Sequence, residues 1–492
     1  MTGKLVGGFD SHILRQMYSH KSFWVVITLL FGLVWLKGTT TLDPDFGSHY
    51  KTGETIIYSG IPKADPFSYT MPSFLPISHA WILDVLLFWG QNKIGFVGLA
   101  FICTLIVIAT LVVSIPRELR KFSIFPLMVS LPVILSRAGV RTQIIDWLFL
   151  VVLIRLKNRE YLLPFLFLIL ANLHGGFVIG LVIFSIHIFC EFIQNKKIHF
   201  FLLSIFYFLL SVLITFITPY GWKMWFEVWA TISDPYLKKY IVEWLPFWNT
   251  VEFGFLLLST FIFTLGFIYR EKIGLFDKFL YLFLFLTSLS SLRHTSLFIL
   301  VAIPLGSLLM KNFYESAQTI PFGKDRFRQL QKIFLIIALV FSTWEVRNLD
   351  VNPKYPQGAI NFLTNNLPKG NLFSEYGWGG YLIWKLPEKK VFIDGRMPSW
   401  RYDIWPFKST APKNESAWVF KDYMKIAYGG DYRKLFDKYN IDTVLLPKEN
   451  LYQNILKNKD KSFFKLITNL EKEGWKEIYS DNVAVILQKS YN

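Results

Sequence analysis

Two patterns of apolar and polar positions divide the chain. From residue 22 to 348, apolar runs of helical length follow one another across short polar breaks. The first, Ser22 to Gly38, reads FWVVITLLFGLVWL; it is short but sufficient for a crossing of ~20 residues. Further runs predict helices at roughly 93–114, 122–136, 143–156, 161–173, 175–194, 199–218, 252–269, 276–290, 294–310 and 330–348. The shorter ones, around Arg137, Arg141 and His174, leave re-entrant or broken helices open. The segment HAWILDVLLFWG (79–90) places apolar residues at helical spacing with Asp84 among them, which predicts an amphipathic helix at a membrane interface. From 349 onward no run is long enough to span. Residues 356–367 predict a helix; 371–375, KKVFID (389–394), DTVLLP (442–447) and VAVIL (483–487) predict strands, with helical patterns between them.

The expected fold is therefore an α-helical polytopic membrane protein of about eleven transmembrane helices with a C-terminal soluble α/β domain. Its expected parts are an N-terminal cytoplasmic segment (1–21), a membrane domain (22–348) with a first outer loop (39–92), and an extracytoplasmic domain (349–492). Composition agrees: 53% of residues are hydrophobic and 18% charged, against ~25% charged in soluble chains. The net charge of +17 could suggest nucleic acid. Many of the basic residues between the apolar runs, however, sit in short breaks: Arg117, Arg120 and Lys121; Arg155, Lys157 and Arg159; Lys196 and Lys197; Arg270, Lys272 and Lys278. Lys311, Lys324, Arg326 and Arg328 make a further such group. With about eleven spans these all fall on one side, the cytoplasmic one by the positive-inside rule, and no nucleic-acid partner is expected. Met1–Lys21 lacks the pattern of a cleaved secretory signal. Two cysteines in apolar stretches, Cys103 and Cys190, support neither a disulfide framework nor a thiolate metal site.

On the opposite, outer face the topology collects the polar chemistry. DPDFGSHYKTGETIIYSGIPKADPFSYT (43–70) holds Asp43, Asp45 and Asp65, with His49 among them. A carboxylate at the mouth of a membrane cavity can take a proton from a hydroxyl or, with a neighbour, hold a divalent cation. Asp43 and Asp45 are thus the candidate catalytic pair, and the ligands of Mg²⁺ or Mn²⁺ if one is used. Helix capping explains the same spacing, Asp65 before Pro66 suits a turn, and Asp84 could face water. Arg137 and Arg141 in SRAGVRTQ, and Arg293 and His294 in SSLRHTS, are candidates for a donor phosphate; snorkelling to headgroups is the bland alternative. His174 in ANLHGGF, His79, and Glu243 with Trp244 in the aromatic stretch 218–248 complete the candidate cavity and acceptor residues. A hydrogen-bonded structural His and an interfacial aromatic belt explain these equally well. Asp394-Gly395-Arg396 reads as a binding loop or a turn. No phosphate-loop, HExxH or GxSxG motif is present in the sequence.

The order of a span, an acidic outer loop, many further spans and a soluble outer domain resembles the C-type multi-spanning glycosyltransferases. These include protein O-mannosyltransferases, lipid A aminoarabinose transferases and oligosaccharyltransferases. DPDFGxHxxxGExIxxxGIPxxDPFSYT, HxW, ANLHGGF and GGYLIWxLPxxKVFIDGR look like a bacterial group within that superfamily, along nearly the whole chain. The resemblance implies an integral protein of the bacterial plasma membrane that moves a hexosyl or pentosyl unit from a polyprenyl-phosphate or -diphosphate carrier to an extracytoplasmic glycan, lipid or protein acceptor. The family's acidic first-loop residue falls on Asp45, with Asp43 behind it. Related sequences often carry Glu after the histidine of HxW; here Ala80 stands there, so Asp84 must substitute if that carboxylate matters. A flippase of lipid-linked glycans and a non-catalytic scaffold are the rival expectations.

Overall fold

The structure is a computed structural model and describes residues 20–318, 355–404, 411–428, 432–448 and 462–490, with single positions 329, 336 and 340. In chain order its main helices are α1 (His20–Thr40), α2 (Phe46–Ser59), α3 (Trp81–Ser114), α4 (Ile124–Arg137), α5 (Ile144–Leu156), α6 (Leu163–Leu173), α7 (Phe177–Asn195) and α8 (Ile198–Ile214). Next come α9 (Lys223–Ser233), α10 (Phe253–Ile268), α11 (Leu275–Ser290), α12 (Thr295–Gln318) and α13 (Gln357–Asn365). The rest is β1 (Asn371–Ser374), α14 (Gly379–Lys385), α15 (Val419–Ala427), α16 (Tyr432–Lys438), β2 (Ile441–Pro447), α17 (Ser462–Lys472), β3 (Lys476–Ser480) and β4 (Ala484–Gln488).

Two compact units result. The first comprises Met1–Thr41, Val97–Thr215 and Lys238–Val351; the second Leu42–Phe96, Phe216–Leu237 and Asn352–Asn492. The acidic segment after α1 and the start of the aromatic stretch thus fold with the C-terminal part of the chain.

In the first unit, α1 shows what the helices are built for. Phe23, Ile27, Leu30 and Val34 recur at helical spacing and are buried. Trp24, Val25, Leu29, Leu33 and Leu36 cover the remaining faces and are exposed. Leaving that much apolar surface in water would forfeit about 25 cal/mol per Å², whereas lipid accepts it. Among the described residues four helical stretches are long and apolar enough to cross a membrane: Lys21–Thr40, Trp81–Ser114, Phe177–Asn195 and Leu292–Ser316. Shorter apolar helices lie at 124–137, 160–173, 198–214 and 253–268. By these helices the chain is an integral membrane protein, four of them reaching full span length among the described residues. The expected span 330–348 lies, but for positions 336 and 340, outside the described residues.

The predicted amphipathic helix and the span after it form one element, α3, broken at Gly95, whose φ of 69° and ψ of 178° suit a residue without a Cβ.

The second unit carries a four-stranded sheet of order β1-β2-β4-β3, parallel between β1 and β2 and antiparallel elsewhere. All seven residues of the inner strand β2 are buried, the polar Asp442 and Thr443 included. KKVFID does not become the expected strand. Its apolar residues are buried, but Val391 forms only an isolated bridge to Ser68, with Val391 N–H donating to Phe67 O at 2.9 Å and Tyr69 N–H to Val391 O at 3.2 Å. Pro66 and Pro72 bracket that partner and cannot extend a ladder. Conversely, β3 (KEIYS) is too polar and too exposed to have been read as a strand.

Candidate functional site

The second unit builds its acidic cluster around α2. Asp45 stands at the N-cap of α2 yet makes no side-chain cap hydrogen bond. Asp43 does the local work instead, its Oδ1 accepting from Asp45 N–H at 3.0 Å. Local turn chemistry therefore accounts for Asp43, while Asp45 is half-buried at the helix start.

One turn along, His49 Nδ1–H donates to Asp84 Oδ1 at 2.6 Å, and Ser78 Oγ–H donates to Asp84 Oδ2 at 2.5 Å. Asp84 is fully buried, so it does not face water. The amphipathic pattern of its helix misled on this point because α2 covers it: Gly53 brings the α2 backbone against the Asp84 carbonyl, where a Cβ would overlap. Burial opposes the charge on His49, but Asp84, Asp45 and Asp43 outweigh it and raise the imidazole to about 9. His49 is thus a cation at neutral pH, held among three carboxylates.

Asp65 joins a different group. It is buried, accepts from Ser68 N–H at 2.8 Å, and pairs with Arg396 at 3.0 Å. Arg396 also grips Asp394 through Nε at 2.8 Å and a terminal nitrogen at 2.7 Å. Phe67 and Trp400 lie 4.9 and 5.2 Å from its guanidinium carbon. The Asp394-Gly395-Arg396 motif is therefore a buried ionic clamp on the acidic segment. Gly395, between its two charged residues, lies bare against Asp45, so that a Cβ there would run into the Asp45 carboxylate. Gly380 of α14 packs equally closely on the Pro44 carbonyl, and Gly47 on the Gly380 carbonyl. The glycine-bearing motifs DPDFG and GGYLIW thus meet backbone to backbone. His79 is half-buried in the turn before α3.

The first unit holds the basic cluster. Arg137, at the end of α4, pairs with Glu252 at 2.8 Å, and Arg141 pairs with Glu243. Arg293 lies over the Trp244 ring, 5.2 Å from its centroid. Burial would raise the Glu243 carboxyl, but Arg141, Arg293 and Arg137 together hold it at about 2. Arg137 and Arg141 are thus ion-paired within the protein rather than merely snorkelling. Trp244 is buried, with His294 edge-on to it at 6.5 Å; His294 Nδ1 lies 3.2 Å from Thr287 O. His174 is buried beside Asp146, Nδ1 to Oδ2 at 2.7 Å, and Gly176 leaves room for that carboxylate.

Several partners were not among the sequence candidates: Asp146 and Glu252 at helix starts, Arg396 with Asp394 as an ion group, and Glu227. Glu227 is buried on α9, accepts from Ser399 Oγ–H at 2.8 Å, and is raised by burial to about 7. An acidic residue within an apolar or aromatic run was the available signal for Asp146 and Glu227.

Among the described residues no three His, Cys, Asp or Glu side chains are placed to hold one metal ion.

No protein-family model and no curated protein matches the chain. Among solved structures, the chain is similar to an oligosaccharyltransferase from Archaeoglobus fulgidus in its apo form. The TM-score is 0.58 at 11% identity, covering 87% of this chain and 70% of that one. At that identity the likeness is one of fold.

Proposed function

We propose that the protein is a membrane glycosyltransferase that moves a sugar from a polyprenyl carrier, linked through phosphate, to an extracytoplasmic hydroxyl acceptor. The observation that carries this reading is the fold similar to an oligosaccharyltransferase over 87% of the chain. Residue roles rest on this chain's own geometry. Asp45 is the base: it is half-buried at the start of α2 and makes no side-chain cap hydrogen bond. The acceptor oxygen attacks the anomeric carbon while Asp45 takes its proton. The bond from the anomeric carbon to the phosphate oxygen breaks, and its electron pair leaves with the carrier phosphate. Arginine is suited to that developing charge, and Arg293, with His294, Arg137 and Arg141 around it, is the candidate phosphate group. His49, His79 and Asp84 in the second unit, and His174 and Trp244 in the first, are supporting residues in this reading rather than reacting ones.

The test is a transfer assay with purified protein and a panel of radiolabelled polyprenyl-linked sugars. Label should move to an acceptor, and Asp45→Asn should lower the rate about a hundredfold or more with donor binding retained. Movement of intact donor across a bilayer without cleavage would instead establish a transporter. Neither activity, with any donor of the panel, would leave a scaffold.

A further inference from the structure

The basic cluster of the first unit has a countable charge. Arg137 is matched by Glu252 and Arg141 by Glu243. Arg293 is the cation left over: it is half-buried over Trp244, and among the described residues its guanidinium makes no hydrogen bond or ion pair. All three arginines act on Glu243, so they form one electrostatic group. The charged residues felt by His294 beyond Arg293 are Lys238 and Asp146, one of each sign, which leave the balance unchanged. The group therefore carries a single surplus positive charge, on a guanidinium that makes no ion pair of its own among the described residues.

A guanidinium presents its N–H groups as a planar fork that fits two oxygens of one phosphate. A phosphodiester offers two such oxygens and one negative charge. A diphosphate linkage brings a second charge, and a partly buried charge without a partner is costly. Resting on the reading of this cluster as the carrier-phosphate site, we propose that the donor is a polyprenyl monophosphate sugar, a singly charged phosphodiester, gripped by Arg293 on its Trp244 platform. Glu243 and Glu252 then act as specificity determinants. By occupying Arg141 and Arg137 they deny a second phosphate its counter-charge.

The experiment compares binding of three probes to the full-length protein in lipid nanodiscs: geranylgeranyl methyl phosphate with one charge, the methyl ester of geranylgeranyl diphosphate with two, and uncharged geranylgeraniol. The singly charged probe should bind about tenfold or more tighter than the doubly charged one. Arg293→Ala should bring it down to the alcohol, Arg293→Lys should keep part of the gain, and Glu252→Gln should narrow the preference by raising affinity for the doubly charged probe. If the doubly charged probe binds more tightly to the unaltered protein, the monophosphate inference falls while the carrier-site reading stands. If neither charged probe exceeds geranylgeraniol, or Arg293→Ala leaves binding untouched, the carrier-site reading falls as well. The comparison on the unaltered protein requires no variant to fold.

Discussion

In the first unit three arginines meet two glutamates; in the second, five aspartates (Asp43, Asp45, Asp65, Asp84 and Asp394) meet one arginine and one histidine. Both set buried charges against opposite ones, as buried ionic groups must. Each also keeps a surplus, positive in one and negative in the other. A cation without an ion pair of its own suits an anionic ligand; a half-buried carboxylate at a helix start suits a proton. The contrast extends to single residues. Arg396 is tied to two carboxylates that are themselves fully buried, whereas Arg293 only rests on an aromatic ring. The same residue type is thus a structural clamp in one unit and an open donor in the other.

The largest effect should come from truncating the clamp. Arg396→Ala leaves Asp65 and Asp394 buried without a counter-charge, and the cost should be about 3–5 kcal/mol. Arg293→Ala loses one cation–π contact and should cost no more than about 1 kcal/mol. Thermal unfolding of the two variants in detergent checks this, and equal losses would erase the distinction between them.

Next is the contact between clamp and base. Gly395→Ala should push the Asp45 carboxylate aside, lowering kcat by roughly tenfold to a hundredfold with little change in KM for the donor. An unchanged kcat would show that the position of Asp45 does not matter to the reaction.

The smallest effect is in pH. His49 is raised from its ordinary range to about 9, so the folded form holds a proton there that the unfolded chain releases from about pH 6.5 upward. Its contribution to stability is complete below pH 6.5 and is lost as the pH rises through about 9, a change of order ~1–3 kcal/mol. Glu243, held at about 2, does not titrate in that window. Unfolding midpoints across pH 6.5–9.5 should therefore fall in the unaltered protein and flatten in His49→Gln; parallel slopes would remove His49 as the titrating group.

The helices were legible because hydropathy is a local signal: a run such as FWVVITLLFGLVWL declares its own fate. So was β2, whose apolar run is bounded by polar residues and a proline. Strand β3 was not, since an edge strand with exposed Lys476 and Glu477 has no apolar face to announce it. The candidate residues were legible by type but not by partner. Arg141 and Glu243 are 102 positions apart, and Asp65 and Arg396 are 331 apart. No local pattern links such pairs. Asp84 shows the cost: its helix reads as one that leaves a carboxylate in water, and only the packing of Gly53 against it reveals that it is buried.

The most direct measurement is single-turnover sugar transfer by Asp45→Asn, using whichever donor the unaltered protein consumes, with donor binding followed in parallel. Amide nitrogen and oxygen keep the shape of the carboxylate but cannot take the acceptor proton. Bound donor with transfer lowered about a hundredfold or more is the expected result. Transfer at the unaltered rate would contradict the account, because the proton would then be going elsewhere.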